Sequence, residues 1–383
     1  MEILSQFGIW GAGWTGWIVP FLFGLSVVVF FHELGHFLVA RWCGVRVEVF
    51  SIGFGPELFG FDDRYGTRWM VSAIPLGGYV KFLGDENAAS VPDQAAVAAM
   101  REEDRRHSFP HQRVSARAAI VAAGPLANFV LAIVIFAGVF TLYGRPSTTA
   151  RVDAVQPGSA AAAAGFRPGD IVLSIDGRTI SNFSEMQRIV GVSAGQTLTV
   201  VVDRGGVLHT VKAVPDLKES KDRFGNTHRL GVLGITRTGS AEDFKLQTVD
   251  PLTAIKLGVQ ETWFVIERTM TAIGGIIVGR EAADQLGGPI RIAQVSGQLA
   301  TMGFVQVLNL VAVLSISIGL LNLFPVPLLD GGHLVFYAIE AIRGRPLSER
   351  VQAVSFRIGL AIVVMLMVFA TYNDILHLSN LFG

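Results

Sequence analysis

The strongest constraint on this chain is where it carries no charge. Residues 3–31 contain no Asp, Glu, Lys or Arg, and charge-free runs recur over 118–144, 301–329 and 358–372. A helix that spans a bilayer needs about 20 mostly apolar residues, and with modest extension of the last run all four reach that length. The first apolar stretch, from Trp17, passes an interruption at His32, Glu33 and His36 and continues to Ala40. The chain therefore reads as a polytopic α-helical membrane protein with four transmembrane helices, and the lipid bilayer is its first partner. Only 16% of residues are charged and 51% are apolar, whereas soluble domains carry about a quarter charged residues. Lys+Arg and Asp+Glu are equal at 31 each, so no general basic surface gathers phosphates and nucleic acid is not an expected partner. The single cysteine, Cys43, excludes an internal disulfide framework and a cysteine-based zinc cluster.

Orientation follows from positive charges in short loops, which mark the cytoplasmic side. No Lys or Arg precedes the first run or follows Asn373. Between the first two runs stand Arg41, Arg46, Arg64, Arg68 and Lys81 among others, and Arg343, Arg345, Arg350 and Arg357 precede the last. Both termini are expected outside the cytoplasm, loops one and three inside, and the long segment 145–300 outside. Glu2, with no Lys or Arg beside it, argues against a cleaved signal peptide. The stretch 263–279 carries Glu267 and Arg268; a charge at a span's centre costs roughly 2.5–3.5 kcal/mol, so it reads as a helix lying in the interface.

The chain then divides as follows: 1–44, an N-terminal tail and the first span; 45–112, a cytoplasmic, membrane-associated β-hairpin loop; 113–144, the second span. An outer β-rich domain at 145–215 and an outer linker with interfacial helices at 216–300 come next. The third span is 301–332, followed by a cytoplasmic loop at 333–352, the fourth span at 353–377 and a tail at 378–383.

The first span holds His32-Glu33-Leu34-Gly35-His36, an H-E-x-x-H. On a helix, positions i and i+4 share one face, so two imidazoles can take one zinc ion while the adjacent carboxylate acts as general base. Ionisable side chains inside a span are costly and mark function. A catalytic zinc wants three protein ligands, and Asp330, at the inner end of the third apolar run, is the candidate third. Span one and span three both run from outside to inside, which brings Asp330 to the depth of His32, about 22 Å of helix beyond Trp17. Pro325 and Pro327 break the helix just before it. Asn322 offers an amide to a substrate backbone or a developing oxyanion, or else an interhelical hydrogen bond. In span two, Gly124-Pro125-Leu126-Ala127-Asn128 sets a kink and an amide near the cytoplasmic end, either for helix packing or for a direct role of Asn128 at the substrate. His333 reads as structural rather than as a competing ligand. His107 and His111, with Pro110 between them, read as part of a solvated loop. Eight histidines in all are too few for a di-iron desaturase.

Segments 45–50, 68–74 and 78–82 have strand character and suit a small sheet at the cytoplasmic mouth of the site. A helical substrate hides its carbonyls in its own hydrogen bonds; pairing an unwound stretch with a sheet edge exposes them, though a sheet that merely caps the site fits the pattern too. In the outer segment, Gln156-Pro157-Gly158, the stretch from Pro168-Gly169-Asp170 to Ile175-Asp176-Gly177, and 198–205 alternate strands and turns, with a short helix near 184–190.

Taken together, His32 to His36, Gly78-Tyr79-Val80-Lys81-Phe82, Ala123-Gly124-Pro125-Leu126-Ala127-Asn128, Gly287-Gly288-Pro289-Ile290 and Asn322 through Gly331 resemble the bacterial site-2 proteases, intramembrane zinc metalloproteases of the regulator-of-sigma-E type. The resemblance implies a PDZ fold, a β-rich α+β domain, for the outer domain; the Pro-Gly-Asp signature occurs once, at 168–170, as in a single-PDZ subtype. It implies Zn2+ on His32, His36 and Asp330, Glu33 as catalytic base, Asn322 on the substrate, and no other small-molecule cofactor. It further implies cleavage of single-span membrane proteins, such as anti-sigma factors trimmed outside by a first protease, or remnant signal peptides. A silent scaffold binding protein tails through its PDZ domain is the alternative, but a scaffold has no use for Glu33. A metal transporter would need ligands along a pathway, which spans two and four lack.

Overall fold

A computed structural model of the chain describes residues 15–85, 99–146, 150–180, 182–221, 227–237, 246–278 and 287–382; the tail expected over the first residues lies outside these. Helix α1 (Thr15–Trp42) is apolar almost throughout and contains Pro20, whose ring leaves the carbonyl one turn back without its helical partner. It ends where Gly44 turns to φ +80° and the Val45 N–H donates to the Ala40 carbonyl at 2.9 Å, a left-handed stop.

Two long strands follow, β1 (Val47–Asp62) and β2 (Arg68–Phe82). The turn between them is set by Asp63, whose carboxylate accepts the N–H groups of Tyr65 and Thr67 at 2.8 and 3.0 Å. Both strands bend, with glycine at positive φ at Gly53, Gly55 and Gly77. Residues 47–52 pair with 78–82, 57–62 pair with 68–72, and 49–52 are flanked on their other side by 68–71. The pair thus folds into a compact hairpin sheet. Its base is buried: Phe50, Val47, Val80 and Phe82 pack with Phe37 of α1 in one cluster that also takes Phe109, Ile120 and Tyr337. Burying a side chain such as Phe50 stabilises by about 1.5–3 kcal/mol. The far end carries exposed apolar side chains, among them Phe54, Leu58, Phe59, Phe61, Ile74 and Leu76.

After a single turn, α2 (Glu102–Arg105), the chain enters α3 (Val114–Leu142), which contains Pro125. The chain then forms a second compact unit, Val139–Ala254 with Ile375–Gly383. Its strands are β3 (Arg145–Pro146), β4 (Ala154–Val155), β5 (Ile171–Ile175) and β6 (Arg178–Thr179), then β7 (Leu198–Arg204), β8 (Val207–Ala213), β9 (Asp216–Lys221), β10 (Thr227–Val232), β11 (Ile235–Thr236) and β12 (Leu246–Gln247). Two helices, α4 (Ala160–Ala164) and α5 (Phe183–Val192), are capped by the side chains of Ser159 and Asn182. The main sheet has the order β6-β5-β7-β8, while β11 pairs with β4 and β10 with β9. Val152, Ile175, Val200, Val202 and Leu233 share its core. The boundary expected at 215 falls inside this unit, because Leu233 and its neighbours supply core side chains and β11 a sheet partner.

The other described elements are helices: α6 (Pro251–Ile277), α7 (Pro289–Met302), α8 (Phe304–Asn322), α9 (Asp330–Arg343) and α10 (Glu349–Phe382). Among the described residues, four helices are long and apolar enough to cross a membrane: Gly16–Trp42, Val114–Leu142, Phe304–Asn322 and Arg350–Leu376. These match the four expected spans. The third is shorter than expected, ending at Asn322, where Pro325 and Pro327 cannot continue a helix. The segment from residue 333, expected as a loop, is instead helical to Arg343, and Tyr337 on it is buried in the hairpin-base cluster.

Candidate metal centre

His32 and His36 stand one turn apart on α1, both buried. Glycine lets α1 and α3 approach closely there. A Cβ at Gly35 would run into the Ala123 carbonyl and Ala127, and one at Gly124 would fall within the His36 ring. Pro125 donates no hydrogen bond and crowds the carbonyl one turn back, loosening α3 at this level. One residue beyond that carbonyl, the Ile120 carbonyl accepts from His36 Nδ1 at 2.8 Å, which fixes the tautomer and leaves Nε2 as a lone pair.

His36 Nε2 is 3.3 Å from His32 Nε2, and Asp330 Oδ2 is 3.2 Å from His32 Nε2 and 3.5 Å from His36 Nε2. His32, His36 and Asp330 form a group whose ligand atoms all lie within 4.8 Å of one another. Asp330 opens α9 behind a tight loop in which Leu328 has φ +107°, a conformation that costs a leucine about 1–3 kcal/mol. Gly331 and Gly332 have no room for side chains against the carbonyls of Phe324 and Val326, nor has Gly359 of α10 against Pro327. The two glycines after Asp330 therefore do more than form a turn, since they let the loop fold back onto the first turn of α9.

Asp330 Oδ2 is buried and makes no hydrogen bond. A buried carboxylate oxygen that faces two imidazole nitrogens without a well-formed hydrogen bond is costly to maintain, unless a cation sits among the three. Ligands about 2.0–2.1 Å from a tetrahedral zinc lie about 3.3 Å apart, close to all three observed separations. The donor set therefore fits zinc. Among the described residues the group has three protein donors, the ligand count of catalytic sites.

Glu33, next along α1, is half-buried and runs past β2; its Cγ is 3.1 Å from where a Cβ on Gly78 would stand. Asn128, fully buried on α3, places its amide 3.2 Å from His32 Nδ1, and its backbone carbonyl accepts from Ser315 of α8 at 2.8 Å. Asn128 Oδ1 is otherwise buried without a partner; turning the amide lets it accept the imidazole N–H, the orientation a ligand histidine requires. Asn322 is the last residue of α8, half-buried, and is not one of the three clustered donors. His333 packs edge-on or tilted among Phe336, Tyr337 and Phe356, with ring centroids 5.4–6.4 Å away. His107 contacts the Gly44 carbonyl at 2.9 Å and His111 contacts Ser108 at 2.6 Å, both in the loop that closes the hairpin base.

Sequence reading does not find one strut of the site. Arg117, at the start of α3, donates to Glu340 on α9 at 2.6 Å and lies 4.9 Å from the ring of Tyr337. It ties the helix that carries Asp330 to the helix that braces both histidines. The partners are far apart in sequence, and each alone reads as an ordinary flanking charge.

The chain matches the model of peptidase family M50 over residues 20–366. A protein of Agrobacterium fabrum named as a zinc metalloprotease is 53% identical over 369 residues, covering 96% of this chain and 97% of its own. Another of that name, from Rhizobium meliloti, is 51% identical over 358 residues, covering 94% and 96%. The metalloprotease MmpA of Caulobacter vibrioides is 42% identical over 380 residues, covering 94% and 95%. With the family model matching nearly end to end, the chain belongs to peptidase family M50, the site-2 protease family that its motifs resemble.

Proposed function

We propose that this protein is an intramembrane zinc metalloendopeptidase that cuts single-span membrane proteins near the cytoplasmic face of a bacterial inner membrane. The observation that carries the reading is the convergence of His32 and His36, with Glu33 beside them, on a helix apolar enough to span a bilayer, with Asp330, which opens α9 just after the end of another such helix. Zinc held by these three would supply a Lewis acid that acidifies water and polarises a peptide carbonyl. Glu33 takes the proton of the attacking water at its carboxylate and delivers it to the leaving amine. Ile120 and Asn128 hold the two imidazoles in the tautomer that leaves Nε2 free. Asn322, at the end of α8, contacts the substrate backbone.

The hairpin supplies the means of binding. Glu33 lies against Gly78, and among the described residues β1 and β2 form a sheet of their own with no further strand. A stretch of substrate, once unwound, adds along the Gly78 edge and brings its carbonyls to the site. The exposed apolar end of the hairpin suits insertion into lipid. In this reading both termini and the β-rich unit are extracytoplasmic, α6 and α7 lie at the outer interface, and the β-rich unit is a single PDZ domain acting on substrates already shortened outside. The test is to incubate the purified full chain, in liposomes, with a single-span substrate and to sequence the products. A cut within the apolar segment supports the reading; cuts confined to the flanking soluble parts contradict it.

A further inference from the structure

A cavity of about 420 Å³ opens between the outer half of α1, the hairpin and the start of α7. Ile18 and Leu22 of α1, Leu76 of β2, and Ile290 and Ala293 of α7 are among its walls, and every lining residue is apolar. The wall from α7 is pinned. Asp374 of α10, buried, accepts the backbone N–H groups of Gly288, Ile290 and Arg291 at 2.8, 2.9 and 3.2 Å, satisfying donors that a helix start leaves free. Gly297, one face further on, has no room for a Cβ against Trp17 and the Gly16 carbonyl. The α7 side of the cavity is thus held between α1 and α10, as a shaped site requires and a loose lipid-facing gap does not.

The cavity lies in register with the metal centre. Ile18, Leu22, Leu25, Val29 and Glu33 are spaced to share one face of α1. Gly78, two residues beyond Leu76 on β2, packs on Val29 and Glu33 of that face. The same face of α1 and the same strand β2 therefore border both the cavity and Glu33. We propose that this cavity is a specificity subsite for one large apolar side chain of the substrate's own membrane segment, on the outer side of the scissile bond. The proposal rests on the protease reading above. The eleven positions from Leu22 to Glu33 span about 16 Å of helix. An unwound substrate covers that distance in about 5 residues and a helical one in about 11, so the spacing at which the pocket is felt also reports how far the substrate is unwound.

The test uses the full chain with Cys43→Ser, Ala293→Cys and Glu33→Gln, which holds substrate uncut. Its partner is a single-span substrate, cleaved by the wild type, that carries one cysteine moved along its membrane segment. Disulfide formation under a mild oxidant is expected to peak at one position, about 5 or about 11 residues outside the scissile bond. Shortening a Leu to Ala at that substrate position is expected to lower kcat/KM by about tenfold or more, chiefly through KM. Bound substrate with crosslinking flat along the segment, or a peak whose truncation leaves kcat/KM unchanged, overturns the subsite and leaves the protease reading standing. If the wild type cuts no single-span substrate, it is the protease reading that fails, and the subsite with it.

Discussion

Gly124→Ala separates the metal centre from the fold around it. The added Cβ would stand among His36 ring atoms, the third nearest of them only 2.9 Å away. Ordinary carbon contacts lie at 3.5–4.0 Å, so the ring must retreat by about 1 Å. Metal–ligand distances tolerate about 0.2 Å. The retreat also breaks the 2.8 Å contact from His36 Nδ1 to the Ile120 carbonyl. Losing a supporting contact alone costs 10–100-fold in metal affinity; displacing the ligand itself should exceed that, and zinc binding is expected to weaken at least about 100-fold, with proteolysis falling in parallel. Stability moves differently. Alanine in a helix interior gains about 1 kcal/mol over glycine, against about 1–3 kcal/mol for overpacking, so the metal-free protein should unfold within about 2 kcal/mol of wild type. Zinc affinity is read by competition with a chelating indicator, and apo stability by thermal unfolding in excess EDTA. Wild-type zinc affinity and wild-type proteolysis in a folded Gly124→Ala protein would refute the placement of His36 against α3.

Three further outcomes are expected. In the β-rich unit, burial works against ionising Asp170, but hydrogen bonds from Arg204 and the Arg167 N–H outweigh it and hold the carboxyl below the usual range; its contribution is present above about pH 4 and lost as pH falls through that range. Arg204→Met strands a fully buried carboxylate, so hydrogen exchange across β5 and β7 in the full chain should show a loss of about 3–5 kcal/mol at neutral pH, and the loss should shrink rather than grow on acidification. Glu340→Gln, which removes the charge that pairs with Arg117, should weaken zinc binding a few-fold while Glu33 chemistry is retained, measured as zinc affinity beside kcat at saturating zinc; unchanged affinity would show that the strut does not position Asp330. A reporter fused after Gly383 should be active only in its extracytoplasmic form, and a cytoplasmic signal would overturn the four-span orientation.

What was legible in the sequence was whatever leaves a local mark. Uncharged runs announced the four long helices, and His32, Glu33 and His36 announced one face of α1. The depth argument from the arginines placed Asp330 level with the histidines, and the structure brings all three donors together. Less legible was anything carried by an absence. Gly35 and Gly124 matter because no side chain stands there, which a sequence records only as glycine; Gly124-Pro125 read as a kink when it is also the bed of the His36 ring. Asn128 read as a substrate or packing residue, and its contact with His32 depends on a helix pairing that no local pattern encodes. The segment from residue 333 read as a loop, yet it is helical to Arg343, with Tyr337 buried under the hairpin base. Nor could the edge of the β-rich unit be seen, since β11 pairs with β4 across most of that unit's length.

The most direct test of the central claim is cleavage of a single-span substrate by purified full-length protein, wild type beside Glu33→Gln, with zinc content measured on both samples. The account predicts about one zinc per chain in each and cleavage by the wild type alone, because Glu33 lies beside the three donors without being one of them. Cleavage by Glu33→Gln at the wild-type rate would contradict it.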